Sequence, residues 1–191
     1  MRKISPWYIV LAVIALIAIW LIVSYNGLVT AKGFVENQWA QVETQYQRRV
    51  DLVPNLVSTV KGAAQFEQST FLQVTEARSA WAQAKTAGDR GQLIQAATNF
   101  DSALSRLLVT VEAYPQLQAT QAFRDLMTQL EGTENRISVA RKDYNDSVFS
   151  YNVRVRKFPG NISAAIFGFQ AEQSFEAVPG SETAPTVDFT K

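Results

Sequence analysis

The sequence predicts an all-α protein: one N-terminal transmembrane helix, then a long antiparallel bundle of three long helices, the first kinked near Pro54. Three observations carry that reading. An uncharged apolar stretch lies near the N-terminus, apolar residues recur every seven positions through most of the remaining chain, and Gly and Pro stand where that recurrence stops.

The anchor comes first. From Ile4 to Ala31 no residue is charged, and residues 7–24 (WYIVLAVIALIAIWLIVS) are almost wholly apolar. A helix of about 20 such residues crosses a hydrocarbon core of roughly 30 Å, so residues 4–25 are expected to lie in membrane lipid. Trp7 and Tyr8 at one end and Tyr25 at the other place amphipathic rings near both headgroup zones. The competing reading is a cleaved signal peptide, because Arg2 and Lys3 make a basic start and residues 29–31 (VTA) loosely fit a small-residue cleavage site. The apolar core is longer than the usual h-region of about 7–15 residues, which favours a retained anchor. Arg2 and Lys3 precede the span, whereas Lys32 is the only basic residue after it until Arg48 and Arg49. That asymmetry places the N-terminus in the cytoplasm and the helical domain outside.

Beyond the anchor, Trp39, Tyr46, Val53, Val60, Val74 and Trp81 fall on one seven-residue row, joined by Val42, Leu56, Val57 and Ala77. This reads as one long arm with a buried face, interrupted on its row by Glu67. Pro54 lacks an amide donor and crowds the carbonyl of Val50, so a kink or restart is expected there, with Asp51 as N-cap of the restarted segment. Gly88 and residues 89–91 (DRG) end the arm. A second helix, about residues 92–113, carries Leu93, Ala97, Phe100, Leu104, Leu107, Leu108 and Val111 at steps of three and four, and Tyr114-Pro115 stops it. The third has the cleanest row: Phe123, Leu130, Ile137, Tyr144, Tyr151 and Phe158. Their spacing indicates core rather than an aromatic binding stripe. Phe158-Pro159-Gly160 ends it.

The chain thus divides into an anchor (1–31), a bundle (32–158), a short apolar segment (159–176) and a flexible tail (177–191). Within the third part, residues 162–169 (ISAAIFGF) are too few to span a bilayer, leaving a segment that packs on the bundle, on a neighbour or on the membrane. At 1.5 Å per residue the first arm would extend roughly 80 Å, the third helix roughly 60 Å and the second only roughly 33 Å. The overhang must be covered by a bent first arm, by the 162–169 segment or by another chain, since large bare apolar patches are uncommon. Self-association into a homo-oligomer is the expectation.

Composition narrows the chemistry. Lys and Arg number 18 against 17 Asp and Glu, so no broad field attracts nucleic acid. Cys and His are absent, which removes thiol chemistry, His-based nucleophile activation and the common zinc sites. No Gly-rich phosphate loop, dinucleotide fingerprint or nucleophile elbow is present. No cofactor or metal and no enzymatic activity are expected. Two polar clusters remain as candidate partner or structural contacts: Arg48, Arg49, Asp51 and Asn55 around Pro54, and Glu134, Asn135 and Arg136, with Glu131 and Arg141, on the third helix. Charge runs on helices are usually solvated or join neighbouring helices. Glu67, if buried, needs a polar partner and would lock the helix register; otherwise a phase shift after the kink carries it to the boundary.

Several segments match a known pattern in the right order: residues 25–29 (YNGLV), 48–57 (RRVDLVPNLV), Lys61-Gly62 with Glu67, 113–119 (AYPQLQA), 130–137 (LEGTENRI), Tyr144-Asn145, Tyr151-Asn152 and Phe158-Pro159. On these residues the chain resembles the LemA family of bacterial membrane proteins, from the anchor through about Phe175. Ala63 and Phe66 depart from the family's Tyr and His in the Lys-Gly segment. The resemblance implies a single-pass anchor at the bacterial inner membrane, an antiparallel helical bundle and no enzyme activity. The expected role is a membrane-anchored structural or interaction protein of the cell envelope; the alternative is an accessory or signalling partner of an envelope protease or sensor.

Overall fold

Apolar residues at helical spacing, with few internal breakers, produce helices close to where the sequence places them. A computed structural model, which describes residues 6–61 and 68–176, contains α1 (Pro6–Lys61), α2 (Gln68–Ala87), α3 (Arg90–Glu112), α4 (Pro115–Gln118), α5 (Gln121–Arg156) and α6 (Gly160–Phe167), with no strand among the described residues. Glu67 and the tail from residue 177 lie outside the described residues.

The apolar N-terminal run and the first bundle arm are a single 56-residue helix. Residues 6–19 of α1 are exposed throughout, and among its residues burial first becomes complete at Leu28, then recurs at Val35, Trp39, Val42, Tyr46, Val50, Val53, Leu56 and Val60. The one long arm expected between the anchor and Gly88 is instead two helices, α1 and α2. The amine of Lys61 lies 5.9 Å from the Phe71 ring centroid, and Lys85 Nζ donates to Gln47 Oε1 at 2.9 Å, so α2 runs back along α1. Val74 and Trp81 are buried as their row requires; the row continues across a reversal because each helix turns one face to the same core. Nor does a new helix start at Asp51. Its exposed carboxylate accepts from Gln47 Nε2 (2.9 Å) one turn earlier in α1, and helix continues through Pro54 to Lys61.

The other boundaries follow local chemistry. Gly88 takes φ +73°, which costs glycine little, and the Asp89 side chain caps α3 by accepting from the Gln92 amide at 2.8 Å. Pro115 opens α4, Thr120 caps α5 through the Phe123 amide, and Arg154 and Arg156 occupy the last turn of α5, where cations suit the helix dipole. After a cis Phe158–Pro159 bond the chain enters α6. A Cβ at Gly160 would come within 2.5 Å of the Arg154 carbonyl oxygen, so this corner closes only around glycine.

α1, α2, α3 and α5 therefore run up, down, up and down. α5, with 36 residues, far outreaches α2 with 20 and α3 with 23. The chain covers the excess length itself: α6 and residues 168–176 lie against the lower halves of α1 and α5, and Phe175 enters the core beside Trp39 and Tyr144. The α5 row is buried at Phe123, Leu130, Ile137, Tyr144 and Tyr151, but its expected last member, Phe158, is 74% exposed, since α5 stops at Arg156.

Candidate functional site

Two polar constructions join the elements of this bundle, one centred on a single carboxylate and one on a repeated residue pair. The first centres on Asp101, which follows Phe100 on α3. Its carboxylate accepts from Tyr46 Oη (2.7 Å), Arg49 Nη1 (2.9 Å) and Arg141 Nη2 (2.7 Å), joining α1, α3 and α5. Arg49 Nη2 also donates to Glu134, and Arg141 Nη2 also donates to the Tyr46 hydroxyl. The Arg49 side chain is only 9% exposed, whereas that of Glu134 is 56% exposed, so the Arg49–Asp101 pair is the desolvated one. Burial is the largest influence on Asp101 and lifts its carboxyl above the usual carboxylate range, against the opposing pull of Arg141, Tyr46 and Arg49.

Burial, with the Asp101 charge beside it, pushes the Tyr46 phenol far up as well. Tyr46 therefore stays a donor at neutral pH and is no acid or base near pH 7. Its folded pKa lies above the unfolded value of about 10, so the stability it lends is whole below about pH 10 and is lost as pH rises towards the folded value. Urea unfolding of the detergent-solubilised chain should show stability falling above that pH, with a slope shallower in Tyr46→Phe by up to about 1.4 kcal/mol per pH unit.

The second construction binds residues 168–176 to α5 as a strap. Within α5 the dipeptide Tyr-Asn occurs twice, seven residues apart, and each of these two copies makes the same kinds of contact. Tyr144 Oη donates to the Gln173 carbonyl (2.6 Å), and Tyr151 Oη to that of Gln170 (2.9 Å). Asn145 receives the Phe175 amide (2.9 Å) and donates to its carbonyl (3.0 Å); Asn152 does the same with Glu172 (2.8 and 2.9 Å). Each asparagine thus satisfies both backbone groups of one strap residue, as a neighbouring strand would. Glu172 then pairs with Arg90 Nη1 at 2.7 Å, tying the strap to the start of α3. Burial raises the phenols of Tyr144 and Tyr151 too.

Of the residues singled out in the sequence, Arg49, Glu134 and Arg141 meet in the Asp101 hub. Arg48, Asp51, Asn55, Asn135 and Arg136 are outside it; Asn135 and Arg136 line a groove with Gln38, Gln41 and Gln45 between α1 and α5. Trp7 and Tyr8 stand exposed at the start of α1, and Tyr25 meets Phe167 and Phe169 edge-on at 4.8 and 5.9 Å. Sequence reasoning missed Asp101. Its signal was a lone carboxylate inside the apolar pattern of residues 93–111.

The hub balances two guanidiniums against two carboxylates and presents no activated nucleophile, so its chemistry is cohesion. Known proteins share the sequence over most of its length. Magnetosome protein MamQ 2 of Paramagnetospirillum magneticum is 32% identical, covering 91% of this chain and 72% of that protein. Magnetosome protein MamQ of Magnetospirillum gryphiswaldense is 30% identical over the same shares. Protein LemA of Metamycoplasma hominis is 22% identical over 73% of this chain and 63% of that protein. None of these names states a reaction. Residues 38–189, which take in the hub and the strap, match the LemA family, and the chain belongs to that family.

Proposed function

We propose that this protein is a non-enzymatic structural or interaction protein of the bacterial envelope, anchored in the inner membrane with its N-terminus in the cytoplasm, and that it self-assembles through the outer surface of its bundle. The observation that carries the reading is α1: residues 6–19 are bare while the same helix, from Leu28 onward, is built into a core. An apolar surface of that extent is stable in lipid and not in water. Apart from Phe158, the described members of the seven-residue rows are buried within one protomer, so assembly rests on what stays outside them. A groove of about 520 Å³ along α5 offers Phe149, 72% exposed, and Val153, and confinement to a membrane plane raises the encounter rate of copies. The relatives named as magnetosome proteins support a place in a cellular structure over a metabolic reaction.

Washing membranes with alkaline carbonate should leave the chain in the pellet, and light scattering after mild detergent extraction should give a multiple of 21.2 kDa that falls to one copy in Phe149→Glu. Release by carbonate would overturn the anchor; a monomeric wild type would overturn self-assembly. The α1–α5 groove, about 400 Å³, favours a second reading as accessory partner of an envelope protease or sensor, because Gln45 Oε1 is buried there without a donor among the described residues. Photocrosslinkers at Asn55 and Arg136 should then capture a different protein, whereas capture of this chain alone supports the first reading.

A further inference from the structure

We infer that the corner between α5 and α6 is a second, interfacial membrane contact, a foot that rests in an anionic headgroup layer beside the spanning part of α1. The inference rests on the anchored reading above. The apolar run from Trp7 to Val23 is about 26 Å long as helix, close to a hydrocarbon thickness, so Ser24 stands where the headgroups begin. α6 is fastened at that level. Ser163 Oγ hydrogen-bonds Ser24 Oγ at 2.6 Å, and Phe167 packs on Tyr25.

The opposite face of α6 is uncovered and apolar. Ser163 and Ala164 are buried, while Ile162 and Ile166, one turn apart, are exposed, the latter at 60%, with Phe158 bare at the corner before them. Such residues on a short helix lying across the end of a membrane span suit the boundary between headgroups and acyl chains. The charge is complementary as well. Arg154, Arg156 and Lys157 are exposed at the end of α5, and neither residues 147–171 nor residues 4–35 contain an acidic residue. Basic residues at this depth attract anionic lipid.

The chain has no cysteine, so single replacements carry an environment-sensitive fluorophore without background. Full-length Ile166→Cys, Ile162→Cys, Ile14→Cys and Val139→Cys would be reconstituted in phosphatidylcholine vesicles with and without phosphatidylglycerol. At positions 166 and 162 emission should shift to the blue and be quenched more by a headgroup nitroxide lipid than by a chain-end one. Position 14 should show the reverse, and position 139 should be quenched by aqueous iodide alone. The blue shift at 166 should grow with phosphatidylglycerol, and that gain should vanish in Arg156→Gln/Lys157→Gln.

If position 14 reports lipid while 166 and 162 report water, the foot is refuted and the anchor stands. If position 14 reports water, both fall. Shielding of 166 and 162 from iodide without lipid quenching would mean a protein covers α6, a second copy or another chain, and would overturn the proposal. Equal shifts in the two lipid mixtures would remove its electrostatic half.

Discussion

Asp101→Ala is expected to lower the unfolding free energy by about 3–5 kcal/mol, read as a lower midpoint in urea with an unchanged slope. The carboxylate is the common acceptor of three donors from two helices, and its loss leaves Arg49, whose side chain is 9% exposed, beside Arg141 with only the largely exposed Glu134 as its anion. A buried cation deprived of its buried anion costs far more than the pair contributed. The same logic predicts partial recovery in the double variant Arg49→Met/Asp101→Ala, which removes the stranded charge and keeps the volume. Glu134→Ala gives the contrast: its side chain is 56% exposed, so solvent screening limits its worth to less than about 1 kcal/mol. Equal losses for Asp101→Ala and Glu134→Ala would show that the hub is solvated and the argument wrong.

Asn145→Ala/Asn152→Ala should release the strap. The two amides make four hydrogen bonds to the backbone of Glu172 and Phe175, each worth about 0.5–1.5 kcal/mol net, so roughly 2–6 kcal/mol of local stability is at stake. Phe175 would then leave its place against Trp39 and Tyr144, where the Arg141 guanidinium also lies 4.7 Å from its ring. Hydrogen exchange should show the amides of Glu172 and Phe175 losing protection by a factor of about 30 or more while those of α3 stay slow, since about 1.4 kcal/mol is tenfold in an opening equilibrium. Uniform loss across the bundle would mean that the strap and the core open as one unit. Unchanged exchange would mean that packing of Phe175 alone suffices.

The helices were legible because their signals are local. Rows at 39–60 and 123–151 mark buried faces, and Gly88, Asp89, Pro115 and Pro159 mark ends. The reversal between α1 and α2 was not, because Val53, Val60, Val74 and Trp81 keep one phase on both sides of it; only Gly62 and the off-pattern Glu67 hinted at an interruption. Pro54 pulled the reading in the wrong direction by suggesting a restart at Asp51, yet α1 tolerates it at an exposed position. The hub was half legible. Arg49 and Glu134 lie in conspicuous charged runs, but their meeting at Asp101 depends on three helices that periodicity cannot orient. The repeated Tyr-Asn pair was visible as a motif, and its purpose was not, because its partners are backbone groups that no side-chain pattern reveals.

The unbroken course of α1 has a mechanical corollary. On the anchored reading proposed above, with no break in helix between its greasy and its wet portions, the rod is a mast stepped into the bilayer, and a lean at the base moves the tip. From Ser24 to Lys61 the mast rises about 57 Å, so a lean of about 20°, ordinary for a lipid-embedded helix, carries the tip sideways by about 20 Å. Because lean follows bilayer thickness, a thinner or thicker membrane would then reset where the far end of an anchored molecule stands.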